Sequence, residues 1–349
     1  MAASNKRVRL GIIGCGAIVE FFYLPVASKL QELEVVALVD KNVDRAQNLA
    51  KRFNIGVHVD DYRRVPKDLD GVLIALPHNL HAPVAIEFLS EGIPVLVEKP
   101  LAMTVEEARR VIDVAHAKGT MLQVAQKFRF CNQARLVKRA IDEGWLGRLR
   151  GFEIAANFED KNPMASGFCW SKEQAGGGIL VDVGSLILDT LLWWLGDPVE
   201  VEYCDDSLGG VESDCELSLV LMTPHGPVAG RVILSRLRKR KDVARIDGER
   251  LSIVYGLESM MGQLYLLSAA TGERLPFVSD SQTIPQQSWR DIFREQLRSF
   301  ATAITTGGVS PVPGESALST LALIESCYRV RRPLKLPWET GEDLVRAHI

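Results

Sequence analysis

The chain has 349 residues, of which 47% are hydrophobic and 24% are charged. That length exceeds what one compact core normally holds, so it predicts a soluble globular protein with two domains. A net charge of -3 excludes a strongly basic surface, and composition therefore gives no support for binding to nucleic acid or to an anionic membrane.

The residues that form metal, disulfide or membrane sites in other proteins are not arranged for those roles here. Six scattered cysteines lack the paired spacing of zinc or redox sites, which favours reduced thiols and a cytoplasmic location. The most apolar stretch, Ile179 to Leu195, is interrupted by Asp182 and Asp189, so no membrane span is predicted. His78 and His81 lie three residues apart without a third ligand type nearby, and no metal site is predicted.

The first part of the chain alternates short apolar strands with helices, which is the rhythm of a doubly wound parallel sheet. Thr104 and Glu107 form a predicted capping box for the last of these helices, which Gly119 ends. The predicted strands are Val8 to Gly14, Glu34 to Asp40, Gly71 to Leu76, Ile93 to Val97 and Met121 to Ala125. The predicted helices are Ala17 to Leu30, Val43 to Phe53, His81 to Glu91 and Thr104 to Lys118. Residues 1–125 are therefore predicted to form an α/β dinucleotide-binding domain of the Rossmann type.

After Gly147 the pattern changes to the alternating stretches typical of antiparallel strands. The predicted strands are Leu217 to Met222 and Val228 to Leu234, joined as a hairpin, then Arg245 to Tyr255 and Gly262 to Ser268. The predicted helices are Ile179 to Leu195, Asp291 to Thr305 and Ser316 to Arg329. Residues 126–349 are thus predicted to form an α+β domain with an open, mostly antiparallel sheet for substrate binding and oligomerisation. The basic run Arg236 to Lys241 is interpreted as a solvated strand end or loop.

The turn Gly14-Cys15-Gly16 between the first strand and its helix is suited to a pyrophosphate. Its backbone can approach the ligand closely, and the helix N-terminus offers unpaired N–H groups to the negative charge. A glycine turn alone is a weak signal, but Asp40 closes the second strand where it could bind an adenosine ribose. Val19 stands where a third Gly or Ala is usual, and its bulk is expected to push the helix slightly off the sheet.

The end of the second strand also bears on the choice of cofactor. Lys41 and Arg45 could contact a 2'-phosphate, whereas Asp40 would repel it. The sequence therefore favours NAD over NADP while leaving NADP open.

Glu98-Lys99-Pro100 follows the buried strand Ile93 to Val97 directly. The carboxyl ends of parallel strands face the ligand crevice, so Lys99 is the first catalytic candidate, as a proton donor or acceptor. The alternative is that Lys99 only pairs with a nearby carboxylate as the strand ends.

Four motifs together resemble the Gfo/Idh/MocA family, the group of glucose-fructose oxidoreductase, inositol dehydrogenase and MocA-like proteins, over nearly the whole chain. They are Gly14-Cys15-Gly16-Ala17-Ile18; Ala75-Leu76-Pro77-His78-Asn79-Leu80-His81; Glu98-Lys99-Pro100; and Gly176-Gly177-Gly178 leading into Asp182-Val183-Gly184 and Asp189. The resemblance implies that Pro77 and Asn79 border a bound nicotinamide, that Glu98 helps to hold it, and that Lys99 touches cofactor and substrate. It also implies that the peptide before Pro100 is often cis.

The cofactor site expected from these motifs combines the glycine turn, the second strand end, the loop after the fourth strand and the Glu98-Lys99 pair. The residues assigned to it are Gly14, Gly16, Ala17, Ile18, Asp40, Lys41, Arg45, Ala75, Leu76, Pro77, Asn79, His81, Glu98 and Lys99.

The helix of the second domain departs from the family pattern. Asp182, Leu186 and Asp189 fall at i, i+4 and i+7 and are expected to share one helix face. Many relatives have a histidine or tyrosine at the position of Leu186, which cannot transfer a proton. Proton transfer is therefore expected to fall to Lys99, to Asp182 or to an ordered water, while hydrogen bonding within the protein is the alternative role of both aspartates.

The substrate site is expected to combine Lys99 and Asp182 with residues that line the cleft. Arg129, Phe158 and Trp170 offer a charge, an apolar wall and an indole that can stack on a sugar ring. The full predicted set is Lys99, Arg129, Phe158, Trp170, Asp182, Leu186 and Asp189. Core packing or ion pairing is the alternative role for Arg129, Phe158 and Trp170.

The predicted function is that of an NAD(P)-dependent oxidoreductase that transfers hydride to or from a sugar, nucleotide-sugar or cyclitol. A dinucleotide-binding sensor without catalysis, or a reductase of a less polar substrate such as a tetrapyrrole or an aromatic glycoside, are the alternatives. The resemblance implies association through the exposed face of the second-domain sheet, and a bare apolar face there would need to be covered, so a homodimer or homotetramer is expected.

Overall fold

The structure, a computed structural model, describes residues 7–158, 167–208, 210–238, 242–257, 262–275 and 287–335. The described residues contain two sheets, one for each predicted part of the chain. The strands of the first sheet are β1 (Val8–Ile13), β2 (Leu33–Val39), β3 (Val57–Val59), β4 (Gly71–Ile74), β5 (Val95–Val97) and β6 (Leu122–Val124). The helices of this part are α1 (Leu24–Ala27), α2 (Val43–Phe53), α3 (His81–Ser90) and α4 (Val105–Lys118).

The first sheet has the strand order β3-β2-β1-β4-β5-β6, and its strands are parallel. This is the order of the doubly wound dinucleotide fold, so the predicted fold class is confirmed. The strand β3 was not predicted, because its three half-buried residues carry no clear apolar run. This order places the carboxyl ends of β1, β4, β5 and β6 side by side at one edge of the sheet.

The helix after the glycine turn is irregular. Instead of a single helix from Ala17 to Leu30, the chain forms a π-helix at Val19–Tyr23 followed by the short α1. Val19 is fully buried against the sheet. The π-turn is wider than an α-turn, and it begins at the position where the sequence places a bulky residue in place of glycine.

The cap of α4 differs from the prediction by one residue. The Thr104 hydroxyl accepts a hydrogen bond from the Glu107 N–H at 3.1 Å, as expected. The Glu107 carboxylate, however, accepts from the N–H of Met103 and not from that of Thr104. The helix ends at Gly119, which has a φ of 59° that favours glycine.

The second part of the chain forms a mixed, mostly antiparallel sheet. Its strands are β7 (Leu149–Asn157), β8 (Pro198–Asp205), β9 (Asp214–Thr223), β10 (Gly226–Ser235), β11 (Val243–Gly248), β12 (Leu251–Gly256), β13 (Leu264–Ser268), β14 (Arg274–Leu275) and β15 (Arg332–Pro333). The remaining helices are α5 (Asn132–Asp142), α6 (Lys172–Ala175), α7 (Ser185–Leu195), α8 (Trp289–Thr306) and α9 (Leu318–Arg329). The strand order is β14-β13-β12-β11-β7-β10-β9-β8-β15, with parallel pairing only for β10 with β7 and β15 with β8 among the described strands. This confirms the predicted open sheet.

Within this sheet, the hairpin of β9 and β10 forms as predicted. The stretch from Arg245 to Tyr255 is two strands, β11 and β12, and not one. A turn at Glu249-Arg250 separates them, and the backbone N–H groups of both turn residues bond to carbonyls near the start of β7.

The outer face of the second sheet carries charged residues near its middle. Paired positions across it place Ser218, Arg231, Glu153 and Arg245 in one row. Arg231 also forms an ion pair with Glu216 at 2.6 Å. The same row continues with Val254 and Tyr265, so this face combines charged with apolar residues, and the oligomer stays a prediction.

The helix α8 returns to the first sheet. Its buried residues Phe293, Leu297 and Phe300 share a core with Leu10 and Ile12 of β1. The division of the chain at residue 125 stays a prediction, and the later α8 completes the core of the earlier domain.

One segment, Lys172–Leu195, is long and apolar enough to cross a membrane by length and composition. Of its most apolar window, 89% is buried inside the protein. The segment contains α7, whose residues form much of the core beneath the second sheet.

Candidate active site

The turn after β1 leaves open space where the sequence predicts a pyrophosphate. Gly14 has a φ of 99°, and a Cβ built on it would lie 2.1 Å from the carbonyl oxygen of Ala75. A Cβ on Gly16 would meet nothing within 4 Å. Gly14 is therefore required by the close approach of two strand ends, whereas Gly16 borders the space in which a dinucleotide would lie.

Asp40 is held at the end of β2 by the glycine turn. Its carboxylate accepts hydrogen bonds from the N–H groups of Cys15 at 2.9 Å and Asn42 at 2.8 Å. Arg45 lies 3.4 Å from the same carboxylate, and Lys41 is exposed. The acidic group thus stands at the place where a ribose would be bound, with one cation beside it.

The loop after β4 carries two buried histidines. His81 lies between two carbonyl oxygens, with Nδ1 2.7 Å from Pro100 and Nε2 2.8 Å from Leu76. His78 Nδ1 contacts the carbonyl oxygen of Ala175 at 2.8 Å. Burial lowers the pKa of His81, and burial together with the Lys99 ammonium lowers the pKa of His78 to about 3, so the His78 ring is neutral at physiological pH. The two rings connect the loop after β4 to the turn after β5 and to α6.

Glu98 is bound inside the domain. Tyr23 donates a hydrogen bond of 2.6 Å to Glu98 Oε1, and the Tyr23 hydroxyl accepts one of 2.7 Å from Gln296 on α8. Burial and the neighbouring carboxylate raise the pKa of Tyr23 well above its usual value, so its proton stays on the phenol. The Glu98 Oε2 atom accepts from the N–H of Lys99 at 3.1 Å. These bonds fix the backbone from which Lys99 projects.

Lys99 and Asp182 meet in the cleft between the two domains. The Lys99 ammonium donates to the Asp182 carbonyl oxygen at 2.7 Å and to Asp182 Oδ1 at 2.8 Å, and it is only 11% exposed. The peptide between Lys99 and Pro100 is cis, as the resemblance implied. Arg236, only 10% exposed, donates to Asp182 Oδ2 at 2.7 Å. One carboxylate is therefore bound by two cations.

The charge state of Asp182 follows from these contacts. Burial alone would raise its pKa, but the Lys99 ammonium and the Arg236 guanidinium outweigh burial and hold the pKa well below its usual range. Asp182 is ionised at every pH at which the protein would work. The geometry therefore fits a group that holds Lys99 in place better than one that exchanges a proton.

The basic run Arg236 to Lys241 follows the end of β10, as predicted for a strand end or loop, but its described arginines are not solvated. Arg236 binds Asp182, and Arg238 forms ion pairs with Asp214 and, at 2.9 Å, with Glu216. Both side chains are largely buried, and the carboxylates that Arg238 meets belong to β9, the strand paired with β10. Residues 239–241 lie outside the described residues.

Asp189 and Arg129 form a separate pair. Two parallel hydrogen bonds of 2.8 Å connect the guanidinium to the carboxylate, and the Asp189 side chain is only 1% exposed. A π-helix at Leu180–Gly184 precedes α7, so the angles of a uniform α-helix do not relate Asp182 to Asp189. The two aspartates bind different cations, and Asp189 takes its alternative role of internal pairing.

The other predicted substrate residues lie at different depths. Trp170 is 53% exposed, with the Arg236 guanidinium carbon 5.5 Å from its ring centroid. Phe158 is half-buried at the end of β7, and its N–H donates to Ser235. Leu186 is buried in the core of the second domain. Trp170 and Arg236 thus offer a platform beside Asp182.

Two residues of this region were missed by sequence reasoning. Arg236 was absorbed into a basic run, and only its contact with Asp182 assigns it to the cleft. Lys127 lies three residues after the end of β6, and a lysine that follows an apolar strand is a signal that could have found it. Within the described ranges, no three His, Cys, Asp or Glu side chains are grouped as metal ligands.

Comparison with known proteins identifies the chain. Residues 8–126 match the model of an oxidoreductase family with an NAD-binding Rossmann fold, and residues 134–254 match that of the GFO/IDH/MocA C-terminal domain. The chain belongs to the Gfo/Idh/MocA family. Membership confirms the predicted NAD-binding domain and an oxidoreductase that acts on CH–OH or C=O groups.

The proteins to which this Gfo/Idh/MocA chain is similar include sugar oxidoreductases and an uncharacterised oxidoreductase. An uncharacterised oxidoreductase of Rhizobium meliloti is 29% identical over 341 residues, covering 95% of this chain and 99% of that protein. A dTDP-3,4-didehydro-2,6-dideoxy-alpha-D-glucose 3-reductase of Saccharopolyspora spinosa is 25% identical, covering 94% and 98%. A 3-ketoreductase of Actinomadura kijaniata, solved with NADP and TDP-benzene, has a TM-score of 0.80 at 24% identity, covering 95% and 100%. The match to the rhizopine catabolism protein MocA of Rhizobium meliloti, 30% identical, spans only 54% of this chain and 58% of that protein.

Proposed function

We propose that the protein transfers hydride between a nicotinamide dinucleotide and a hydroxyl or ketone carbon of a sugar, nucleotide-sugar or cyclitol, with Lys99 as the proton donor or acceptor. The observation that carries this proposal is the Lys99 ammonium held 2.8 Å from Asp182 at the carboxyl edge of the first sheet. That edge is where doubly wound folds bind their ligands. The names of the dTDP-sugar 3-reductase and of related dehydrogenases support a carbohydrate substrate.

The chain's own groups divide the work in this proposal. When bound, the nicotinamide supplies the hydride acceptor or donor. An ammonium group has three N–H donors, and Lys99 uses two of them on Asp182. The third is left for a substrate oxygen, whose proton Lys99 holds or moves. Asp182 orients the ammonium and balances its charge, and Trp170 beside Arg236 offers a face on which a sugar ring stacks.

A screen with a lysine variant tests this function. The protein is mixed with NAD+ or NADP+ and a panel of aldoses, inositols, dTDP-sugars and aromatic glycosides, while nicotinamide absorbance is followed. The Lys99→Ala variant is expected to bind NADH as the wild type does and to lose turnover by about 10²-fold or more. Unchanged turnover of Lys99→Ala would remove Lys99 from the mechanism. Binding of NADH without turnover of any panel member would favour the sensor.

We further propose NAD as the preferred cofactor. Asp40 places a negative charge at the expected ribose, and Glu20 and Asp44 line a surface pocket of about 320 Å³ beside Arg45. Glu20 forms an ion pair with Arg52 and Asp40 forms one with Arg45, so the preference rests on the Asp40 carboxylate at the ribose, which disfavours an added 2'-phosphate. Fluorescence titration is expected to give tighter binding of NADH than of NADPH, and the reverse order would refute this preference.

We also propose a cytoplasmic location and a homo-oligomeric state. Within the described ranges no disulfide connects any of the six cysteines, which fits a reducing cytoplasm. A homodimer or homotetramer is proposed from the resemblance alone, and light scattering that gives the mass of a monomer would reject it.

A further inference from the structure

The run Gly176-Gly177-Gly178, called here the triglycine segment, ends four residues before Asp182. Two close neighbours require its small residues. A Cβ on Gly177 would lie 1.9 Å from the hydroxyl oxygen of Tyr328, and a Cβ on Gly178 would lie 2.0 Å from the carbonyl oxygen of Glu212. A side chain at either position would push the segment away from these neighbours. The glycines therefore allow the backbone before Asp182 to lie directly against Glu212 and Tyr328.

Glu212, in the loop between β8 and β9, accepts three hydrogen bonds on one carboxylate oxygen. The N–H groups of Gly178 and Leu180 each donate to Glu212 Oε1 at 2.9 Å. The hydroxyl of Tyr328, on α9, donates to the same atom at 2.8 Å. The Ile179 N–H donates to the Glu212 carbonyl oxygen at 2.9 Å. Glu212 is buried, so these bonds form away from bulk water, where an unpaired N–H group is costly. One residue thus holds three successive N–H groups.

These bonds lie one step from the contact that holds Lys99. The Asp182 N–H donates to the Gly178 carbonyl oxygen at 3.0 Å. The π-helix at Leu180–Gly184 begins in the same turn, so the bound N–H groups fix the start of the backbone that carries Asp182. Lys99 binds that backbone directly, because its ammonium donates to the Asp182 carbonyl oxygen at 2.7 Å as well as to the carboxylate at 2.8 Å. A shift of the backbone would therefore move both acceptors of Lys99 together.

We propose that Glu212 is a positioning residue for the Lys99–Asp182 pair, acting through the triglycine segment, and that Tyr328 fixes its carboxylate. This inference rests on the proposed function, in which Lys99 transfers the proton. In the described part of the chain, Glu212 forms no hydrogen bond with Lys99 or Asp182, and its effect passes through the backbone between them. A misplacement of a reacting group by about 1 Å can lower a rate by about 10²-fold, so such a contact acts on turnover.

Three substitutions test this role with the substrate that the screen identifies. Glu212→Ala removes the acceptor carboxylate, Glu212→Gln keeps one oxygen acceptor, and Tyr328→Phe removes only the hydroxyl donor. We expect Glu212→Ala to lower kcat by about 10²-fold and Tyr328→Phe to lower it less, with the KM for the cofactor unchanged in both. Glu212→Gln is expected to retain most of the wild-type turnover, because its amide oxygen still accepts from the backbone N–H groups.

The matched control is Ser288→Ala, which removes the hydroxyl that caps a different helix, α8, and is expected to leave kcat unchanged. Wild-type kcat in Glu212→Ala would overturn the proposal. An equal loss of turnover in Ser288→Ala would also overturn it, because general destabilisation would then explain both variants. Tyr328→Phe keeps the ring that packs against Tyr203, so it is expected to fold even if Glu212→Ala does not.

Labelling of Lys99 tests the inference without turnover. The cofactor-free proteins are treated with trace acetic anhydride, and peptide mass spectrometry gives the labelling of Lys99 relative to Lys67, whose side chain is 78% exposed. In the wild type, Lys99 is largely buried and donates twice to Asp182, so this ratio is expected to be low. It is expected to rise in Tyr328→Phe and further in Glu212→Ala, because the acceptors of Lys99 are then held less firmly.

The ratio distinguishes this inference from the proposed function. An unchanged ratio in Tyr328→Phe would overturn the inference even if the enzyme is active, as would an equal rise in Ser288→Ala. A ratio that rises in Tyr328→Phe and not in Ser288→Ala supports the inference. If the sugar screen finds no substrate while the ratio rises in this way, it is the proposed function that fails.

Discussion

Replacing Asp182 by asparagine removes the charge that binds two cations while keeping the shape of the side chain. In the wild type, Lys99 and Arg236 each donate a charge-assisted hydrogen bond to the carboxylate, at 2.8 and 2.7 Å. A hydrogen bond to a charged group contributes about 1.5–3 kcal/mol, and the amide keeps one oxygen acceptor. The carboxylate is 33% exposed, so water screens part of the loss. We expect the free energy of unfolding to fall by about 2–3 kcal/mol at neutral pH.

The pH dependence of this loss has a definite sign. The pKa of Asp182 is lower in the folded protein than in the unfolded chain, so its stabilisation is complete above the unfolded value, ~3.9, and is lost as the pH falls below it. The difference in unfolding free energy between wild type and Asp182→Asn is therefore expected to be constant above about pH 5 and to shrink towards pH 3.

Urea unfolding followed by tryptophan fluorescence measures both effects. The matched control is Asp60→Asn, which breaks an exposed ion pair with Arg64 and is expected to cost about 0–1 kcal/mol. An Asp182→Asn protein as stable as the wild type at neutral pH, or a difference that persists undiminished in acid, would refute the assignment of two cations to this carboxylate.

Three other predictions follow from the cofactor turn, the buried ion pair and a buried thiol. Gly16→Ala is expected to fold normally but to bind NADH more weakly. Gly14→Ala is expected to be destabilised, since its Cβ would lie 2.1 Å from a backbone oxygen. Equal melting temperatures of the two variants would contradict this prediction. Asp189→Asn leaves the Arg129 guanidinium without its carboxylate and is expected to lower the free energy of unfolding by about 3–5 kcal/mol, measured by thermal unfolding. A decrease below about 1 kcal/mol would contradict a buried ion pair. Burial and the nearby Asp40 raise the pKa of Cys15 to about 12, so iodoacetamide at about pH 8 is expected to leave this thiol unmodified in the native protein, and rapid alkylation found by mass spectrometry would disprove it.

The local pattern of the sequence was a good guide wherever a segment's neighbours in the chain decide its structure. The apolar strand before Glu98 and the helix that Thr104 begins and Gly119 ends formed as predicted. The prediction was less accurate where the local signal was short or irregular. The strand Val57–Val59 has three half-buried residues, and the π-helix Leu180–Gly184 shifts the face on which Asp182 lies.

By itself, the sequence determined the dinucleotide-binding fold, the family and the position of Lys99, because glycine turns, apolar periodicity and strand ends are encoded by residues close together in the chain. Only the tertiary structure decided which charges meet. Lys99 is 83 residues from Asp182, and Arg236 is 54 residues from it. Such pairs depend on how the two sheets and α7 pack, and no local pattern specifies which carboxylate a buried cation will find.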